Sequence, residues 1–118
     1  MKSSNQIKEE LDQFSGTEHY YKHLYGIVYT DGVKFLADEC QCFWLISLVV
    51  SYQFEPKIKA EEFQVYKLTV NADHSAKVEI TDGNYKILAT QEIEFTDFPL
   101  SEITLWFTNN VLYLPQEH

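Results

Sequence analysis

The chain has 118 residues, a formal net charge of −9, nine lysines and no arginine. Without a guanidinium or a basic face it lacks the groups that neutralise phosphates, so we predict no direct binding to nucleic acid. Hydrophobic residues make up 45% of the chain and aromatic residues 15%, which is typical of a packed globule. We therefore predict one globular domain over residues 1–118.

The N-terminal sequence is polar and continues into a charged amphipathic segment. It therefore predicts no secretion signal, and we expect the protein in the cytoplasm. The longest apolar run, from Cys42 to Val50, is much shorter than the roughly 18 residues of a membrane span, so we predict no membrane partner. Cys40 and Cys42 are expected to be reduced thiols, because disulfides persist mainly in oxidising compartments.

A short N-terminal helix is predicted from its cap and from the spacing of its apolar residues. Ser3 and Gln6 fit a capping box, and Gly16 can terminate the helix. A narrow apolar stripe recurs every three or four residues, at Ile7, Leu11 and Phe14.

A β-rich segment at residues 26–30 precedes the longest predicted helix. Asp31 is placed to act as its N-cap, and no Gly or Pro occurs between Val33 and Tyr52, so we predict one helix of about five turns. Its second half, Cys42 to Val50, is apolar on all sides and therefore needs cover on more than one side. A sheet covers only one side, so either the N-terminal helix or a second copy of the chain must cover the other.

From residue 66 onward the apolar residues recur with a period of two, which is typical of half-buried strands. Strands are predicted around residues 66–70, 76–81 and 87–95, and turns separate them. We predict an α+β fold, in which an antiparallel sheet of five or six strands packs against one long helix, with a short N-terminal helix beside it.

The last predicted hairpin defines a candidate interface. A two-residue turn at residues 109–110 places Trp106 opposite Tyr113, on the face that the neighbouring strands make polar. This aromatic pair is a candidate contact surface, and so is Trp44 in the apolar part of the long helix. The alternative is that the helices or Leu88 cover the pair.

The best ligand candidates lie between the first helix and the first strand. Glu18, His19 and His23 occur there, and on a helical turn the two imidazoles would share a face, as in zinc-binding H-x-x-x-H pairs. No third ligand has a strong claim, so we predict no metal and no cofactor, and we retain the three residues as a candidate ligand or polar site. On one helix, Cys40 and Cys42 would lie about 200° apart around the axis, which prevents joint ligation or a disulfide.

Short motifs spread over nearly the whole chain match one family: GTE-x-YY-x-H at residues 16–23, YTDGV at residues 29–33 and TDFPL at residues 96–100. On these motifs the chain resembles an uncharacterised family of small bacterial proteins, described only as a domain of unknown function. The resemblance implies a single-domain protein in a bacterial or phage setting, and it implies no activity. Of the candidate ligands, only His23 falls on a position of the family pattern.

No segment has the sequence of a nucleophile elbow or of a Gly-rich phosphate loop. We predict a non-catalytic protein-interaction or regulatory module, with an unidentified protein partner and with a homodimer as one form of that interaction. Two alternatives from other classes stay open. An acidic chain can mimic a nucleic-acid backbone and inhibit a basic partner, and a small enzyme or metal-binding protein would use Glu18, His19 and His23.

Overall fold

The computed structural model describes residues 2–117. Within them, helices form at Ser4–Leu11 (α1), Asp31–Cys40 (α2), Phe43–Tyr52 (α3) and Pro56–Lys59 (α4). Strands form at Tyr20–Lys22 (β1), Val28–Thr30 (β2), Phe63–Val70 (β3), Ala76–Thr81 (β4), Ile87–Ile93 (β5), Glu102–Thr108 (β6) and Val111–Tyr113 (β7). Short 3-10 turns occur at Leu24–Gly26 and Pro115–Glu117. None of the helices in this part of the chain is long and apolar enough to cross a bilayer.

The strands form one seven-stranded sheet in the order β1-β2-β7-β6-β3-β4-β5. The α+β class is confirmed, but the prediction of five or six strands was wrong, because β1 was not recognised. Its three residues, Tyr20–Lys22, are too few to display a period of two. The sheet is also not wholly antiparallel, since β2 and β7 run parallel between two antiparallel parts. Between β2 and β7 the chain forms three helices and four strands. A pairing between segments so far apart leaves no local sequence pattern.

Helix α1 begins as the sequence predicts and ends earlier. The Ser3 hydroxyl accepts a hydrogen bond from the Gln6 backbone N–H, and the Gln6 side chain accepts one from the Ser3 N–H, so the capping box is confirmed. The helix ends at Leu11 rather than at Gly16. Ile7 and Leu11 are buried, and they bind the helix to the core.

The prediction of one long helix was wrong, because the chain breaks at Gln41 into α2 and α3. Gln41 adopts the left-handed conformation, with φ 51° and ψ 46°, although it is not a glycine. The break allows both Cys40 and Cys42 to be buried, at 5% and 1% exposure. On a continuous helix these two residues would point to different sides, so the burial offsets the backbone strain. The N-cap is also not Asp31 but Thr30, whose hydroxyl accepts from the Val33 N–H.

All the helices that pack on the sheet lie on one of its faces. Strand register places a continuous set of buried side chains on that face, and they join the buried side chains of α1, α2 and α3 in one core. The strand residues of this set are Tyr66, Leu68, Val78, Ile80, Leu105, Phe107 and Leu112. The opposite face carries Val65, Trp106 and Tyr113 at one end and the Lys67–Glu102 ion pair towards the other.

The final hairpin has the predicted register. Asn109 and Asn110 adopt positive φ angles of 52° and 63°, which a two-residue turn of this type requires. Trp106 pairs with Tyr113 across β6 and β7, as predicted. The turn therefore sets which side chains of the two strands share a face.

Candidate functional site

Two of the motif segments meet at the N-terminus of α2, around the side chain of Asp31. The backbone N–H groups of Glu18 and His19 donate to its Oδ2 at 2.9 and 3.2 Å, and the Tyr21 hydroxyl donates to Oδ1 at 3.0 Å. In return, the Asp31 N–H donates to Thr17 Oγ1 at 2.9 Å. Asp31 therefore holds the segment before β1 against the start of α2.

These hydrogen bonds fix the protonation state of Asp31. The N–H of Glu18, the Tyr21 hydroxyl and the N–H of His19 stabilise the carboxylate and lower the pKa of Asp31 below its ordinary value. The hydrogen bond between Tyr21 and Asp31 also raises the pKa of Tyr21, because it favours the protonated phenol, which donates to the carboxylate. An ionised carboxylate that accepts three hydrogen bonds is a poor proton acceptor. Asp31 therefore has a structural role, in which it links the segment before β1 to α2.

A second carboxylate, from Glu117, lies at the same helix end. Its Oε1 accepts from Thr30 Oγ1 at 2.6 Å and from the Leu114 N–H at 3.0 Å, and its Oε2 accepts from the Gly32 N–H at 3.1 Å. A negative charge is favourable at a helix N-terminus, where N–H groups have no intrahelical partner. This contact joins the C-terminal turn to α2.

Gly32 is required by the closeness of this contact. A Cβ atom at position 32 would lie 2.6 Å from Glu117 Oε1 and 2.6 Å from Leu114 Cδ1. Both distances are far below van der Waals contact, so any side chain would displace the Glu117 carboxylate and the side chain of Leu114. The glycine of the YTDGV motif therefore has a packing explanation.

A shallow depression of about 280 Å³ lies beside these residues. Thr17, Tyr20, Thr30, Tyr113 and Glu117 contribute to its lining. The Glu117 carboxylate is already engaged by three donors, and among residues 2–117 no cysteine, lysine or histidine contributes to the lining.

The structure does not bring His19 and His23 onto one helical face, because residues 20–22 form strand β1 and not a helical turn. Three residues lie between the two histidines, and four steps along an extended chain place their Cα atoms about 13 Å apart. His19 Nδ1 lies 3.7 Å from Asp31 Oδ1, whereas His23 Nδ1 accepts a hydrogen bond from the Leu24 N–H at 2.7 Å. Glu18 lies with His19 beside Asp31. Among residues 2–117 no group of three or more His, Cys, Asp or Glu side chains is placed to hold a metal ion.

The predicted separation of Cys40 and Cys42 was wrong, since it assumed a continuous helix. The break at Gln41 brings the two thiols together, and the hydrogen bond with Cys40, together with burial, raises the pKa of Cys42. The Cys42 thiol also donates to the Leu36 carbonyl oxygen at 3.6 Å. A buried protonated thiol is unreactive, and it serves as a small core residue.

The three candidate interface residues lie on two sides of the molecule. Trp106 and Tyr113 contact each other edge-on, with ring centroids 6.1 Å apart, on the sheet face away from the helices. Phe63 packs edge-on against Trp106 at 5.3 Å, and Tyr113 is only 7% exposed. Trp44 lies in the helical layer, on α3. The three residues therefore do not form one continuous surface.

Helix α3 leaves one side exposed, and this side carries the two serines of an otherwise apolar and aromatic sequence. Phe43 is 44% exposed, and Ser47 and Ser51 follow it on the same stripe at intervals of four residues. Trp44 and Leu48 flank the stripe and are partly buried. Helix α1, one candidate cover, packs mainly against α2 instead.

Two further aromatic residues extend this surface beyond the end of α3. Phe54 is 63% exposed and Tyr25 is 72% exposed, and their rings meet edge-on with centroids 4.9 Å apart. Sequence reasoning missed both, because the contact joins residues 29 positions apart and leaves no local signal. Tyr25 also has a positive φ of 61°, which is costly for a bulky residue. We call this surface the α3 face, and it consists of Phe43, Trp44, Ser47, Leu48, Ser51, Phe54 and Tyr25.

The chain belongs to DUF6876, a family of unknown function whose model matches residues 5–118. This membership confirms the resemblance seen in the sequence motifs. No curated protein and no solved structure gives a significant match. The comparisons therefore establish the family, and any function must be argued from the geometry above.

Proposed function

We propose that this chain is a non-catalytic protein-interaction module that binds its partner through the α3 face. The observation that carries the proposal is a division of roles among the side chains. The carboxylates of Asp31 and Glu117 are engaged in holding the fold together, whereas Phe43 on α3 and the aromatic residues Phe54 and Tyr25 beyond it are exposed. An exposed apolar surface of this kind is typical of a protein contact site.

The buried polar groups support a structural role. Gln64 and Gln53 exchange amide hydrogen bonds at 2.9 and 3.0 Å, and Tyr66 donates to Gln64 Oε1 while it accepts from Gln53 Nε2. Gln64 also donates to the Ile58 carbonyl oxygen, which fixes α4 on the sheet. In the part of the chain that the structure describes, no buried side-chain N or O atom lacks a hydrogen-bond partner. These buried polar groups therefore hold the fold together.

The chemistry of the α3 face indicates the class of partner. The segment from Cys40 to Phe54 contains no charged residue, and the chain carries a net charge of −9 without arginine. Anionic lipids and nucleic acids would be repelled by the net charge of the chain. The cation nearest to this face, Lys34, has its Nζ 5.6 Å from the centroid of the Phe43 ring and is paired with Asp38. An exposed helix surface also differs from the concave sites that small molecules occupy. Another protein with an apolar contact patch fits these properties best.

The two other functions receive less support. A nucleic-acid mimic needs unpaired carboxylates along one surface, but several carboxylates here are paired with lysines, as in Lys2–Glu10 and Lys67–Glu102. A small enzyme or metal protein needs Glu18, His19 and His23 to converge, and His23 lies at the opposite end of β1 from the other two. We therefore favour the interaction module.

Site-specific photo-crosslinking tests the proposal. A photoreactive phenylalanine analogue replaces Phe54 on the α3 face or, as a control, Tyr85, which is fully exposed in the turn between β4 and β5. In cells that contain the protein, irradiation should give a discrete protein adduct from position 54 and none from position 85. An absence of adducts at position 54, or equal adducts at both positions, would contradict a docking role for this face.

A further inference from the structure

We propose that the occupant of the α3 face is a second copy of this chain, so that the module is a homodimer with two antiparallel α3 helices at its centre. This inference rests on the proposed function, since it names the partner of the same surface. Three properties of the face carry it: the lack of net charge, the alternation of large and small residues, and the exposed area.

The charge of the chain restricts where two copies can meet. Each copy has a net charge of −9, so most pairs of surfaces would bring carboxylates together and repel. The α3 face reduces this repulsion, because no charged residue occurs between Glu39 and Glu55. Lys34 contacts the Phe43 ring at 5.6 Å, but it is paired with Asp38, so the two add no net charge. A basic partner would be recognised by unpaired carboxylates, whereas a second copy offers a matching surface without net charge.

The order of residues on α3 fits an antiparallel partner. When a two-fold axis passes through Ser47, Phe43 of one copy lies opposite Ser51 of the other, and the same contact is repeated by symmetry. A large ring thus meets a small residue at both ends of the contact. Ser47 meets its own equivalent at the centre, where a small side chain permits helix axes to approach to about 8 Å. The exposed stripe is therefore complementary to itself.

The exposed area is sufficient for a reversible dimer. Phe43, Phe54 and Tyr25 are 44%, 63% and 72% exposed. With about 200 Å² for each aromatic side chain, these rings present on the order of 350 Å² per copy. Contributions from Trp44, Leu48 and the two serines raise this to about 600 Å². Two copies would bury about 1,200 Å², the lower limit of specific interfaces, and we expect dissociation in the micromolar range.

Analytical ultracentrifugation over a concentration series tests the homodimer. The wild-type chain should change from a mass of 13.9 kDa to twice that value as its concentration rises through the micromolar range. Ser47→Glu places two carboxylates at the two-fold axis and should weaken association at least 100-fold. Ser101→Glu makes the same change at an exposed serine before β6 and should leave association unchanged.

A charge-swap experiment separates a lost contact from a damaged fold. Ser47→Lys alone should be monomeric for the same reason as Ser47→Glu, but an equimolar mixture of the two variants should form a heterodimer, because opposite charges then meet at the axis. Far-UV circular dichroism of each variant should match the wild type, since position 47 is exposed on a helix.

The possible outcomes distinguish this inference from the proposed function. A wild-type chain that stays monomeric at millimolar concentration refutes the homodimer, as does a Ser47→Glu variant that dimerises like the wild type. In either case, an adduct of position 54 with a different protein would leave the interaction module intact. Failure of both experiments would remove both proposals.

Discussion

The substitution Gln64→Ala tests whether the buried amide network stabilises the fold. Gln64 lies on β3 and is 2% exposed. Its side chain accepts from the Tyr66 hydroxyl and from Gln53, and it donates to the Ile58 carbonyl oxygen at 2.9 Å. Alanine would leave the buried Tyr66 hydroxyl without its acceptor, whereas the Ile58 oxygen would keep the backbone N–H of Glu61 as a donor at 3.0 Å.

The expected loss follows from the Tyr66 hydroxyl, which loses its acceptor. A buried polar group without its partner costs about 1–3 kcal/mol, so the free energy of unfolding should fall by about 2 kcal/mol. An unfolding entropy of roughly 2.1 cal/mol/K per residue converts this loss into a decrease in Tm of about 8 °C for a chain of this length. The loss is a large fraction of the stability of an ordinary domain.

Urea unfolding, followed by tryptophan fluorescence at one fixed protein concentration, measures this loss. Gln13→Ala provides the matched control, because Gln13 is an exposed glutamine beyond α1 and should change stability by less than about 0.5 kcal/mol. A loss below about 1 kcal/mol in Gln64→Ala, with an unchanged m-value, would refute the view that this network fixes α4 on the sheet.

Three further predictions concern the helix junctions. Gly32→Ala should lower the free energy of unfolding by about 1–3 kcal/mol, because its Cβ would lie 2.6 Å from the Glu117 carboxylate and from the Leu114 side chain; Gly16→Ala, with no atom within 4 Å, should change little in the same urea assay. The lowered pKa of Asp31 means that its contribution to stability is present above the unfolded pKa and is lost as pH falls through the folded pKa. When unfolding is measured from pH 6 to 2, the free energy of unfolding should therefore fall less in Asp31→Asn than in the wild type. An identical pH profile would contradict the stabilising role of the Asp31 carboxylate. Both buried thiols should resist a thiol-reactive dye in the folded protein and react fully in denaturant; rapid reaction under native conditions would contradict their burial.

The sequence predicted those elements that depend on local signals. The capping box at Ser3, the alternating strands β3 to β5 and the hairpin turn at residues 109–110 each carry their information within a few residues. These elements formed as predicted, because cap, period and turn chemistry agree with the packing around them.

Errors occurred where long-range packing overrides the local preference. Nothing near Gln41 indicates a helix break, and only the burial of Cys40 and Cys42 in the completed core favours it. Strand β1 was missed for a similar reason, since its three residues are positioned by pairing with β2 and by the bonds to Asp31.

The candidate sites also differ in whether their sequence signal is local or long-range. The sequence identified the unusual apolarity of the α3 segment, including Trp44, but not its extension through the contact of Tyr25 with Phe54. It also could not reveal that Glu117 binds the start of α2, because the partners Glu117 and Gly32 are 85 residues apart. Both contacts exist only after the sheet has brought distant segments together.

An isotope-filtered NMR experiment tests the central claim most directly. Chains labelled with ¹³C are mixed with unlabelled chains, and nuclear Overhauser effects are recorded between the two kinds of chain. The homodimer predicts effects between the Phe43 ring of one copy and the Cβ protons of Ser51 in the other, which lose intensity in Ser47→Glu. Intermolecular effects that involve only residues outside the α3 face, or none at a concentration well above the micromolar range, would contradict it.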